Sequence, residues 1–182
     1  ALIYQVFMGD GTYTLPTLAR IVNALSITFP FLLVLIVYEE LGWRGFALPR
    51  LQVFHNPLKS SVILGIFWSF WHFPYWFIYS YPYTKSLAMA CLGLASGTLS
   101  VMALTILMTW IYNSAKGSVL LIMILHAANN TSLTLITDPS QPNGTVALIG
   151  FGLLAVFALA VLAVNGSMLS KKPPVTDIVV EK

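Results

Sequence analysis

The chain has 182 residues, of which 58% are hydrophobic and only 8% charged. A soluble domain carries about 25% charged residues, so this composition excludes an ordinary soluble globule and describes an integral membrane protein. The net charge of +3 arises from basic residues scattered between apolar runs, which fits membrane topology rather than nucleic-acid binding.

In chain order, 1–17 holds the turn signals Gly9-Asp10-Gly11 and Pro16. The chain begins at Ala1 with an apolar stretch from Leu2 to Met8, and we expect it to start mid-protein after an earlier span. A first span is expected over about 21–38, with Pro30 as a kink, and its helix should run on to about Leu48, where Pro49 stops it. Residues 51–60 read as a loop or interfacial stretch with a turn at Asn56-Pro57. A second span, over about 62–79, is crowded with aromatics from Phe67 to Phe77 and is expected to end at Tyr81-Pro82-Tyr83. A third lies within 87–112 and carries Gly93-Leu94-Ala95-Ser96-Gly97, a small-xxx-small pattern that lets helix backbones approach closely. After a turn at 113–117, a fourth span over about 118–136 carries His126, Asn129 and Asn130. A loop over 138–144 leads to a fifth span over about 146–164 and a polar tail from Lys171. The expected fold is an all-α, polytopic transmembrane helix bundle of about five spans in a single domain.

Orientation follows from the basic residues. Of the nine, Arg44, Arg50, Lys59, Lys116, Lys171, Lys172 and Lys182 fall on one side, against Arg20 and Lys85 on the other. The first side is expected to be cytoplasmic. The single cysteine, Cys91, excludes an intrachain disulfide framework and any multi-cysteine metal site.

The polar residues inside the spans carry the functional signal. Glu39, Glu40 and Arg44 lie together in six residues at the end of the first span, where a charge at the bilayer centre costs roughly 2.5–3.5 kcal/mol on insertion scales. On a helix Glu39 and Glu40 diverge by about 100°, while Glu40 and Arg44 stand at i, i+4 and can pair. Glu39 is then the carboxylate available for another task. The plain alternative is a helix-end cluster of charges at the lipid headgroups. His72 and His126 lie roughly 12–15 Å along their helices from the same side, and Asn130 shares a face with His126. Each histidine alone could be a neutral ring hydrogen-bonded within the bundle; with the acids they form a candidate site. His55 reads as structural, Asn129 as a helix-to-helix hydrogen bond, and the aromatics around His72 as core, lipid-facing surface or a pocket wall.

A glutamate and an imidazole beside one water can act as a base toward it, and a histidine with an amide on one helix face can donate to a developing oxyanion. This suits water attack on a peptide carbonyl. There is no His-Glu-x-x-His zinc motif, no Gly-x-Ser-x-Gly nucleophile elbow, and Asp10 and Asp138 fall in loops rather than forming a buried pair.

Glu39-Glu40-x-x-x-Arg44, then Trp68-x-x-x-His72, then His126-x-x-x-Asn130 resembles the CPBP family of CAAX proteases and bacteriocin-processing enzymes, also called the Abi family. The likeness covers roughly 37–130 and includes Gly117-Ser118-Val119-Leu120 ahead of His126. It implies an intramembrane endopeptidase in which Glu39 and His72 activate water, His126 and Asn130 form the oxyanion site, and Glu40 and Arg44 support it. One departure is Trp68, where the family usually has phenylalanine; since both are bulky aromatics, the expected consequence is for pocket shape rather than chemistry. The resemblance implies membrane lipids and a peptide or lipidated peptide as partners and no required cofactor. A zinc ion held by Glu39, Glu40, His72 and His126 is the alternative. A non-catalytic bacteriocin-immunity or scaffold protein and a proton-relay transporter are the competing classes. The complete motifs disfavour the former, and the nearly uncharged outer halves of the spans disfavour the latter.

Overall fold

The computed structural model describes residues 16–84, 87–136 and 144–169, and among these the chain is helical throughout, without a strand. It begins with α1 (Leu18–Asn23), capped by Thr17, whose hydroxyl accepts from the Arg20 N–H at 3.3 Å. A π-helical segment, Ala24–Thr28, leads into α2 (Phe29–Glu40); a second, Leu41–Ala47, leads into α3 (Leu48–Phe54). These five pieces form one uninterrupted helix of 37 residues.

Pro49 therefore does not stop the helix, contrary to the reading from sequence. A proline clashes with the carbonyl four residues earlier and offers no N–H. For Pro30 and Pro49 those carbonyls belong to Ser26 and Gly45, and both lie inside π-helical segments. The wider turn shifts bonding by one residue: Phe29 N–H reaches Ala24 and Leu48 N–H reaches Trp43. The ladder passes each proline with a local change of register instead of a break.

The expected 51–60 loop shrinks to His55 and Asn56. His55 turns extended, with φ −137° and ψ 152°. The Asn56 side chain then accepts from the Lys59 N–H at 2.9 Å, and Pro57 follows at the first helical position, so Asn56-Pro57 is a helix start rather than a turn. The next helix, α4 (Pro57–Thr84), runs through Pro74 and Pro82 instead of ending at Tyr81-Pro82-Tyr83; membrane helices tolerate such interruptions. It is followed by α5 (Leu87–Ser114), α6 (Val119–Ile136) and α7 (Gly144–Asn165), then a short 3₁₀ turn, Gly166–Met168. The expected loop at 138–144 and the tail from Lys171 lie outside the described residues, save for Gly144, which opens α7.

The five long helices correspond to the five expected spans. Three stretches, Leu18–Phe54, Gly93–Ser114 and Gly150–Met168, are each long and apolar enough to cross a membrane, and Val119–Leu135 is a shorter apolar helix. The chain is an all-α polytopic membrane bundle. α4 packs along α5, α5 along α7, and α2 along α6. Gly65 lets α4 lie close against α5: a Cβ there would lie 2.8 Å from the Met102 sulfur. Where α2 meets α6, Ile36, Met123 and Ala127 are buried, while Phe31, Val34 and Tyr38 on the opposite side of α2 are exposed, as on a lipid-facing surface.

The connection from α5 to α6 positions half of the candidate site. Lys116 and Gly117 take left-handed conformations, φ 54° and 81°, and Gly117 N–H reaches back to the Tyr112 carbonyl at 2.8 Å. Ser118 then caps α6, its hydroxyl accepting from Leu121 N–H at 3.3 Å. This tight reversal fixes where α6 starts, and so the level at which His126 meets α2.

Candidate active site

Glu40, the last residue of α2, and Arg44, in the π-helical turn after it, are both fully buried. One guanidinium nitrogen, Nη1, donates to both oxygens of the Glu40 carboxylate, at 2.9 and 3.1 Å. The pairing expected from the i, i+4 spacing is present. Glu40 has a second partner from α6: Nδ1 of His126, 3% exposed, lies 2.7 Å from Glu40 Oε1. A carboxylate accepts here, so Nδ1 carries the proton, and Nε2 is the other face of that imidazole. Burial of such charges is tolerated only when they are paired. Two nitrogens of Arg44, Nε and Nη2, have no hydrogen-bond partner among the described residues, but the guanidinium lies 4.3 Å from the centre of the Trp68 ring, a cation–π distance.

Glu39 behaves differently. It is half-buried, and its Oε2 accepts a hydrogen bond from the indole Nε1–H of Trp68, on α4, at 3.2 Å. His72, one helical turn after Trp68, is also half-buried. Its Nδ1 lies 2.9 Å from the Trp68 carbonyl. A carbonyl can only accept, so Nδ1 is the protonated nitrogen, and the neutral ring's acceptor is Nε2.

Trp68 is thus the common neighbour. Its ring meets the edge of His72 at 5.6 Å and that of His126 at 5.2 Å between centroids. Around it the structure gathers Glu39, Glu40, Arg44, His72 and His126 from the long first helix, α4 and α6. Asn130 lies one turn beyond His126 on α6, and its Oδ1 accepts from the Asn129 side chain at 3.2 Å. Asn129 was read as a helix-to-helix contact; it instead bonds its own neighbour.

Phe67, Phe70 and Trp71 of α4 are each more than 60% exposed, as on a lipid-facing surface. Tyr75, Trp76 and Phe77 have side chains outside the described set. An apolar cavity of about 660 Å³ lies behind α6, between it and α5 and α7, with Asn129 on its wall. None of Glu39, His72, His126 or Asn130 lines it. His55 sits at the break between α3 and α4, away from these groups.

Sequence reading gave Trp68 no part in the polar contacts of this constellation and did not find the Asn129–Asn130 bond. Trp68 stood at a motif position, and the extra N–H of an indole over a phenyl ring was the available signal. The zinc alternative needs Glu39, Glu40, His72 and His126 to face one point. Among the described residues no three His, Cys, Asp or Glu side chains are gathered as a ligand set. Both Glu40 oxygens instead accept from Arg44, and Oε1 also accepts from His126 Nδ1, so the arrangement does not fit a tetrahedral ion held by all four side chains.

Residues 21–132 match the family model for type II CAAX prenyl endopeptidase, Rce1-like. The chain is similar to CAAX prenyl protease 2 of Methanococcus maripaludis, with 33% identity over 142 residues. That alignment covers 78% of this chain and 51% of the relative, so the chain spans about half the length of the curated protein it matches. No solved structure matches it. The family match takes in all three polar motifs and every side chain gathered around Trp68, and the chain belongs to the Rce1-like CAAX prenyl endopeptidase family of intramembrane proteases.

Proposed function

We propose that this chain carries the catalytic centre of an intramembrane endopeptidase that hydrolyses prenylated C-terminal peptides, the class named in its relative. The observation that carries the reading is the division of labour between the adjacent acids. Glu40 is closed off by Arg44 and His126, while Glu39 is half-open and shares one neighbour, Trp68, with His72.

In this reading Glu39 takes a proton from a water placed between it and His72, whose Nε2 accepts from the same water. The resulting hydroxide attacks the scissile carbonyl carbon. The oxyanion is met by the Asn130 amide and by Nε2 of His126, which donates when the ring carries both protons and its charge faces the Glu40 carboxylate. The C–N bond then breaks, and the proton held by Glu39 passes to the leaving amine. No step requires an ion bound by these side chains. Membrane-anchored peptides without a prenyl group form the wider substrate class.

The test is cleavage of a farnesylated tetrapeptide-tailed substrate by purified protein, with and without a chelator. Cleavage that survives chelation supports the mechanism; loss restored by added zinc would instead establish the metal alternative. Absence of cleavage, with the protein folded, would favour the immunity-protein reading.

We further propose that the site faces the cytoplasm, supported by the bias of basic residues: six against two even with Arg44 set aside. A Val175→Cys variant in a Cys91→Ala background should resist a membrane-impermeant thiol reagent in intact cells. Efficient labelling would reverse the orientation.

A further inference from the structure

Trp68 makes a contact through its indole that a phenylalanine in its place could not make. It is 1% exposed. Its carbonyl accepts from His72 Nδ1 at 2.9 Å, and its ring meets both histidines edge-on beneath the Arg44 guanidinium. A phenylalanine could keep the backbone bond and fill most of the ring volume. Only the indole supplies Nε1–H, and that proton is directed at Glu39 Oε2, 3.2 Å away.

We propose that Trp68 is a positioning residue for catalysis: its indole N–H fixes the Glu39 carboxylate so that the other oxygen meets the attacking water together with His72. This rests on the peptidase reading above. Trp68 then ties both members of the water-activating pair to one rigid element, Glu39 through its side chain and His72 through its backbone. The expectation that Trp68 alters only pocket shape is replaced by a chemical role.

The physical argument concerns rotors. Glu39 is half-buried and has three side-chain torsions to settle. With no donor on Oε2, the carboxylate would leave the reactive orientation for part of the time, and each turnover would have to restore it. The donor itself is already held, since the indole is buried in the main apolar cluster together with Leu64, Met108 and Ile122. Because Trp68 is almost wholly buried, it offers substrate no surface. Its loss should therefore fall on kcat and leave KM alone.

The test replaces Trp68 in two ways. Trp68→Phe removes the N–H and shrinks the ring. Replacement by 3-benzothienylalanine, introduced by nonsense suppression, keeps the bicyclic shape and exchanges N–H for sulfur. With a farnesylated peptide substrate, both should lower kcat roughly ten- to a hundredfold, the scale of a hydrogen bond to a charged group, with KM within about twofold. A thienyl variant retaining wild-type kcat overturns the proposal even if Trp68→Phe is impaired, because shape would then suffice. A change confined to KM also overturns it. If Trp68→Phe does not fold, the thienyl variant decides. A second readout does not depend on turnover: the indole ¹⁵N–¹H resonance of Trp68 should move in Glu39→Gln, and an unmoved resonance refutes the contact. A wild-type protein that cleaves nothing overturns the peptidase reading and the positioning role with it, while that resonance still reports separately on the bond.

Discussion

Glu39 and Glu40 are adjacent in sequence, yet they belong to two chemically distinct halves of the site. The Glu40 half is a closed ionic cluster: carboxylate, guanidinium and imidazole, all 3% exposed or less, with both Glu40 oxygens engaged. The Glu39 half is open at one side and held by a single indole N–H and a neighbouring backbone carbonyl. A helix separates adjacent side chains by about 100°, so one dipeptide can address α6 with one acid and α4 with the other. The difference teaches why two acids are present. One joins α6 to the first helix through the buried cluster, and the other lies outside that cluster and is bonded to α4.

The largest expected effect breaks the comparison at the open half. Glu39→Gln should lower kcat by about 10²–10⁴-fold, the range for a positioned general base, and leave the melting temperature in detergent unchanged, because Glu39 is only half-buried and among the described residues its carboxylate accepts one hydrogen bond, from Trp68. Near-normal turnover by this variant would end the assignment of Glu39 as the base. Glu40→Gln tests the contrast, and should lose stability as well as activity.

Arg44→Ala attacks the closed half. It leaves Glu40 buried with only His126 and removes the cation above Trp68. Breaking a buried ion pair from one side costs roughly 3–5 kcal/mol, so this variant should unfold at a markedly lower temperature. The double change Arg44→Met with Glu40→Leu should recover part of that stability, since no unpaired charge remains, without recovering cleavage. A single Arg44→Ala variant with wild-type melting would show that the cluster is not a frame.

How much of this was readable before the structure depends on whether the physics is local. The Glu40–Arg44 pair is an i, i+4 contact, so sequence spacing found it. The three polar motifs were visible because ionisable residues in apolar spans stand out against their surroundings. Helix ends fared worse. Pro49 read as a stop because the π-helical turn that accommodates it depends on the Gly45 carbonyl's register, which no side-chain pattern announces. Asn56-Pro57 read as a turn because the same pair can open a helix when Asn56 finds a donor at Lys59. The Trp68–Glu39 and His126–Glu40 contacts join residues 29 and 86 positions apart, and only tertiary packing sets those.

A neutral buried pair offers a smaller test of what the ionic one teaches. Asn113, at the end of α5, donates to the Gln52 side chain of α3 at 2.7 Å, both residues being 5% exposed or less. The reverse bond is absent: Gln52 Nε2 and Asn113 Oδ1 have no partner among the described residues. Gln52→Leu should cost about 1–3 kcal/mol, because it strands the Asn113 amide. Adding Asn113→Leu should return most of it, as replacing both partners by apolar groups can be nearly neutral. Losses that simply add in the double variant would show that the two amides are not coupled.

The smallest effect expected is at Asn129, on the wall of the apolar cavity behind α6. Its amide donates to Asn130 Oδ1 at 3.2 Å. That bond orients Asn130 with its own N–H₂ directed elsewhere, which is the group an oxyanion would need. Asn129→Ala removes one neutral hydrogen bond, worth about 0.5–1.5 kcal/mol, and lets the Asn130 amide rotate, so kcat should fall by roughly two- to tenfold. Asn129→Asp carries a sharper expectation. A carboxylate beside Asn130 can only accept, so it would draw the Asn130 N–H₂ toward itself and turn Oδ1 toward the substrate. The aspartate variant should therefore be slower than the alanine variant, although it is nearer in size to the native side chain. Steady-state kinetics on the same peptide decides it: an aspartate variant faster than alanine would mean that Asn130 does not serve the oxyanion through its amide donor, and that role would then fall to His126 of the closed half alone.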